Sequence, residues 1–188
     1  MAFIHTTRRG TAYYLHTGPK RGGGVQHFLS TKKKGTLAAA LPEGFEIYET
    51  VNGLAFLRRK RPSAIRDEEL AVVRGELAKH RGPMLHEIEV TGGVIVIHEA
   101  EGAQDHWRAL GALRPGIDLA ALTRQFAQFM PVMRFALHDE ERRLFAPERY
   151  CFRGSVDDWI SIGETAAITA LARKFIPHLG KDTFYELY

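Results

Sequence analysis

Met84-Leu85-His86-Glu87-Ile88-Glu89-Val90-Thr91-Gly92-Gly93-Val94-Ile95-Val96-Ile97-His98 decides the fold. Met84 to Val90 reads as one strand, Gly92-Gly93 as a tight turn, and Val94 to His98 as the returning strand. The unbroken Val/Ile run predicts a central strand covered on both faces. This turn sets His86 opposite Glu99 and Glu87 opposite His98, on opposite sides of the hairpin.

Upstream, residues 67–80 read as a helix. Asp67, Glu68 and Glu69 suit its positive N-terminal end, Lys79 and His80 suit the other, and Leu70, Val73 and Leu77 form the apolar stripe. Gly82-Pro83 breaks it. Two further hairpins are expected before Pro62. In the first, Ala12 to Thr17 pairs with Val25 to Ser30 across a loop of residues 18–24. With Thr17 facing Val25, Tyr14 faces Phe28 and His16 faces Gln26 on one side, while Tyr13, Leu15, His27 and Leu29 take the other. In the second, Phe45 to Thr50 pairs with Leu54 to Arg59 through an Asn52-Gly53 turn, both of whose residues are expected at positive φ. That register sets Glu46 opposite Arg59.

Downstream, a short helix is expected around Ala103 to Leu113. A second is expected from Asp118, with Leu119, Leu122, Phe126, Phe129 and Met130 on one face and Pro131 as its stop. Val132 to His138 and Arg142 to Phe152 read as a fourth hairpin, where Pro147 implies an edge or a bulge. Asp157-Asp158 before Trp159 resembles a helix start. A last helix is expected from about Glu164 to Phe175, with Ile168, Leu171, Ala172 and Phe175 inward, and the apolar end Phe184 to Tyr188 is expected to dock. The sum is an α+β protein: several β-hairpins in a mostly antiparallel sheet, packed with three to four helices. Residues 1–188 read as a single domain, with a possible sub-boundary near Pro62 separating a basic β-hairpin part (1–62) from an α+β part (63–188).

Tyr13-Tyr14-Leu15-His16, Leu41-Pro42-Glu43-Gly44-Phe45-Glu46-Ile47-Tyr48-Glu49 and Phe56-Leu57-Arg58-Arg59 resemble phrases of an uncharacterised bacterial protein family with no assigned function. So do Asp157-Asp158-Trp159-Ile160 and Phe184-Tyr185-Glu186-Leu187. The likeness spans most of the chain and implies no activity.

At 188 residues, 45% hydrophobic and 26% charged, the chain can bury a core without a metal or a disulfide. Its single cysteine, Cys151, excludes an internal disulfide and any CxxC site. No apolar run follows Arg8-Arg9, and nowhere do eighteen apolar residues follow one another, so neither an export signal nor a membrane-spanning helix is expected. With one thiol, this points to a reducing, cytoplasmic setting.

The net charge of +4 is lopsided. Residues 1–66 hold twelve cations against three acids, a balance of +9; residues 67–188 hold fourteen against nineteen, a balance of −5. Such a split steers an anionic partner, or lets two copies attract each other. Basic residues interleaved with aromatics suit nucleic acid: Tyr14, His16 and Phe28 to stack on bases, and Lys20, Arg21, Lys32, Lys33, Lys34, Arg58, Arg59, Lys60 and Arg61 to neutralise phosphates. The bland alternative is aromatics in the core and cations on a solvated surface. No helix-turn-helix, RRM signature or zinc finger is present.

Other chemistry is poorly marked, and the sequence leaves open whether the protein is an enzyme. The 18–24 loop lacks the Lys-Ser or Lys-Thr of a phosphate-binding loop and opens a strand, so it reads as a hairpin tip. The nine histidines form no HxH or HExxH, and no metal or cofactor is expected; His86, Glu99 and His138 are the remaining candidates for a hydrolase. Gly154-Ser155 and Ser161-Ile162-Gly163 complete no GxSxG, and Cys151 reads as packing. Two functions stand: a non-catalytic binding module for nucleic acid or another polyanion, and a protein–protein interaction module or homodimer.

Overall fold

The computed structural model describes residues 2–80, 85–101, 121, 125–153 and 156–187. The chain divides into two units, Met1–Arg61 and Pro62–Tyr188.

The first unit is built from strands alone among the described residues. Strands β1 (Ile4–Thr6), β2 (Ala12–Pro19) and β3 (Val25–Ser30) form an antiparallel sheet in that order, and β4 (Phe45–Glu49) pairs with β5 (Ala55–Arg59). β1 went unrecognised in the sequence because three residues carry almost no periodicity. Thr17 faces His27, not Val25, and His16 faces Phe28. The strand continues through Gly18-Pro19, so the loop shrinks to residues 20–24, closed by the Lys20 N–H donating to the Gly24 carbonyl (3.0 Å). The register moves by two, and a strand alternates with period two, so the expected sharing of faces survives.

The second hairpin moves by one. The Thr50 N–H donates to Leu54 and the Gly53 N–H to Thr50, 2.9 Å each, which closes a three-residue loop. Gly53 alone takes positive φ (71°), so a bulge-type turn replaces the two-residue turn. Glu46 therefore faces Arg58 instead of Arg59, and the ion pair forms there at 2.8 Å.

The second unit carries an antiparallel sheet of β6 (His86–Thr91), β7 (Val94–Ala100), β8 (Phe129–Asp139), β9 (Leu144–Arg153) and β10 (Val156–Ser161), in the order β10-β9-β8-β7-β6, with the short β11 (Ala166–Ala167) on β9. The Gly92-Gly93 hairpin has the register read from the sequence, His86 to Glu99 and Glu87 to His98. On one sheet face Ile95, Ile97, Met133, Phe135 and Phe145 are fully buried. They join a core with Val73 of α1 (Asp67–Lys79), with Ile168, Leu171, Ala172 and Phe175 of α2 (Ile168–Phe175), and with Phe184.

Strand makes up 44% of the described residues and helix 21%. The expected three to four helices are corrected to two among the described residues, in a mainly β protein that α+β fits only broadly. The expected helix at 103–113 lies outside the described residues. The one running from Asp118 lies partly outside, and its end is a strand: Phe129, Met130 and Pro131 belong to β8. Pro131 stands beside a bulge, where β8 carries Val132 as an extra residue between the partners of Ile97 and His98. Asp157-Asp158 begins no helix; both pair within β10, opposite Phe152 and Cys151. The last helix starts at Ile168, not Glu164, because Ala166-Ala167 pairs with β9.

Pro147 lies inside β9 with sheet on both sides. Its carbonyl accepts the Ile162 N–H (3.1 Å), so its missing N–H points into the gap between β10 and β11, a local edge that makes no ladder bond. Arg143, in the β8–β9 turn, is the one described non-glycine residue at positive φ (55°). Its guanidinium grips Glu69 with two bonds (2.8 and 2.6 Å) and the Ala64 carbonyl with a third (2.9 Å), fastening the turn to α1. Burial pushes the Glu69 carboxyl up, but the Arg143 bonds, the Arg66 N–H bond and the charges of both arginines together outweigh it and hold the pKa below the ordinary value; the Glu69 bonds raise that of Arg143. No described helix is long and apolar enough to cross a membrane.

Candidate nucleic-acid interface

In an antiparallel sheet, directly opposed residues share a face. Tyr14, His16 and Phe28 therefore stand on one face of β2–β3, joined from β1 by Ile4, which opposes Tyr14. The other face carries the fully buried Leu15. His16 is nonetheless only 4% exposed, because the segment after β3 folds back over it. Leu37 bridges His16, and the Thr17 N–H donates to the Thr36 carbonyl (3.0 Å). The His16 Nε2–H donates to the Lys32 carbonyl (2.8 Å). Gly35 makes the wrap possible: it takes φ 127°, and a Cβ there would sit 3.3 Å from His16 Nδ1.

The His16 and Phe28 rings stack at 5.2 Å with 12° between planes. Phe28 remains 44% exposed, and Tyr14 is half-buried. The histidine thus acts as a fixed post between an exposed aromatic ring and the start of the Lys32-Lys33-Lys34 run. The sequence proposed His16 as a stacking group; the structure buries its ring and stacks it on Phe28. Gly35, absent from the sequence-based candidates, was marked only by being a glycine directly after three lysines.

The cations divide by their partners. Arg58 is occupied: Glu46 binds it and it lies 3.9 Å from the Tyr48 ring centroid. Arg59 is exposed and lies 5.3 Å from the Phe45 ring centroid. Glu49 is engaged by His5 (3.0 Å) and by the Arg8 N–H (2.9 Å). Lys20, Arg21, Lys32, Lys33, Lys34, Lys60 and Arg61 are all exposed, and none has a carboxylate partner among the described residues. They do not gather at one point. Lys20 and Arg21 precede β3 and the three lysines follow it, so about 17 Å of strand separates the two groups.

The remaining candidates stay apart. His86 bonds Glu99 (3.2 Å), while His98 lies 3.4 Å from Glu89 rather than across from a shared ion with His86. Burial raises the Glu89 pKa. His138 is exposed. Among the described residues no group of three His, Cys, Asp or Glu side chains is placed to hold a metal. Cys151 is half-buried in β9.

The chain matches no family model, no curated protein and no solved structure.

Proposed function

We propose that the Met1–Arg61 unit is a non-catalytic polyanion-binding module, with nucleic acid as its principal ligand. The observation that carries this reading is the fate of the charges. Of the unit's three carboxylates, Glu46 and Glu49 are already engaged by Arg58, His5 and the Arg8 backbone, which leaves the exposed Glu43 beside eight exposed cations that keep no carboxylate among the described residues. Such charges are stabilised by phosphates, and the counterions released drive association. Titrating a labelled oligonucleotide across a salt series tests it. The logarithm of the affinity falls linearly with the logarithm of salt concentration; a salt-independent response, or no binding at low salt, removes the reading.

A second reading, a protein–protein module or homodimer, is favoured by the exposed Ile4, Val25, Leu54 and Phe56 of the same unit. It expects a dimer that, held by apolar contacts, persists at high salt and binds no oligonucleotide. Sedimentation as a monomer from low to high salt removes it. Either activity is proposed for a reducing, cytoplasmic setting, where the Cys151 thiol stays free.

A further inference from the structure

We infer that the ligand of this surface is a single strand, read by one unstacked base that lies against the Phe28 ring. The inference rests on the polyanion reading and names its substrate class. Phe28 has one ring contact among the described residues, the parallel His16. β3 is the last strand of its sheet and β5 packs against it, yet the Phe28 side chain stays 44% exposed. Opposite Gln26, Gly18 brings no side chain to the ring; even a Cβ there would stop 3.9 Å from Phe28 Cε1. One face of the aromatic is held by His16 while the side chain remains 44% exposed, the arrangement a stacking platform needs.

The charges fit the same path. Lys20 and Arg21 stand before β3 and Lys32, Lys33 and Lys34 after it, so a backbone following the strand meets cations at both ends and Phe28 between them. The span suits a short footprint of roughly four to six nucleotides, the low end of single-strand site sizes. A duplex keeps its bases stacked on one another and offers none to Phe28. His16 is a positioning residue here: it holds both the ring and the Lys32 backbone and contacts no nucleotide.

The test is a fluorescence-anisotropy titration of the full chain with a ten-nucleotide single strand, as DNA and as RNA, and with the matching DNA duplex. The wild type binds at least one single strand roughly tenfold or more tighter than the duplex at equal salt. Phe28→Ala weakens that single-strand binding by roughly 10- to 100-fold, the loss of one stacked base, and leaves duplex affinity and salt slope unchanged. Phe28→Trp restores the affinity. Circular dichroism of each variant establishes that the fold is kept, as the exposure of Phe28 leads one to expect. Phe28→Ala binding within twofold of the wild type, or equal affinity for single strand and duplex, overturns the inference while the polyanion reading stands. Absence of binding to every oligonucleotide overturns both.

Discussion

His16→Ala removes the side chain that ties the Lys32 segment and the Phe28 ring together. Three contributions are lost. The bond from Nε2–H to the Lys32 carbonyl is worth about 0.5–1.5 kcal/mol net. The stack with Phe28 adds about 0.5–1.5 kcal/mol beyond burial. The buried ring also leaves a gap beneath residues 32–37 that Gly35 cannot fill. Because the Lys32 carbonyl lies in an exposed segment and can turn to water, the total stays near 2–3 kcal/mol instead of the full cost of a stranded acceptor. With a urea dependence of ~1 kcal/mol/M, which suits so small a unit, its unfolding midpoint falls by about 2–3 M. His16→Phe keeps the stack and loses the bond, so it recovers about half of the difference. The assay is urea unfolding followed by circular dichroism, with the unit's transition tracked separately from that of Pro62–Tyr188. A midpoint for His16→Ala within 0.5 M of the wild type, roughly the noise of such extrapolations, refutes the argument that His16 ties the basic segment to the sheet.

Two further perturbations probe the other unit. Arg143→Ala breaks the two-bond grip on Glu69 and costs about 2–4 kcal/mol, whereas Arg143→Gly costs about 1 kcal/mol less because glycine accepts φ 55° without strain; thermal unfolding of the pair gives the order. Since the folded pKa of Glu69 lies below its ordinary 4.5, its contribution is complete above that pH and is lost as the pH falls through the folded value, and Arg143→Ala flattens this acid limb of the stability curve. Glu89 has the opposite sign: its folded pKa is raised, so the fold binds the proton more tightly and stability falls as the pH rises from 4.5 through the folded value. Glu89→Gln abolishes that decline and unfolds at a higher temperature than the wild type at neutral pH; an unchanged pH profile contradicts the assignment.

The parts of the fold legible in the sequence are those where one local rule had no competitor. Gly92-Gly93 between alternating β-formers allowed one register, and the spacing of Ile168, Leu171, Ala172 and Phe175 allowed one buried face. Elsewhere two rules gave different answers. Asn52-Gly53 fits a two-residue turn and also the end of a three-residue loop, and the bonds between Thr50, Gly53 and Leu54 select the second. Phe126, Phe129 and Met130 fit a helical stripe, yet Phe129 and Met130 pair across from Ala100 and Glu99. The aspartates before Trp159 look like a cap, but edge-strand pairing with β9 takes them, and charges on an edge also discourage unwanted strand addition.

The candidate interface was half legible. Tyr14, His16 and Phe28 share a face because a register error of two residues preserves the alternation. Which of them is exposed was not legible, since the cover over His16 comes from residues 32–37, well beyond the range of any pattern in β2. Arg58 could not be separated from the exposed cations until the hairpin register placed Glu46 beside it.

The central claim is that exposed cations of Met1–Arg61 exist to meet phosphates. The most direct measurement is the salt slope of single-strand binding for the wild type beside a Lys32→Gln, Lys33→Gln, Lys34→Gln triple variant. With ~0.7 per phosphate contact on a single strand, the account expects the slope to shrink by roughly 2 and the affinity at low salt to drop in step. A triple variant that keeps the wild-type affinity and slope contradicts it.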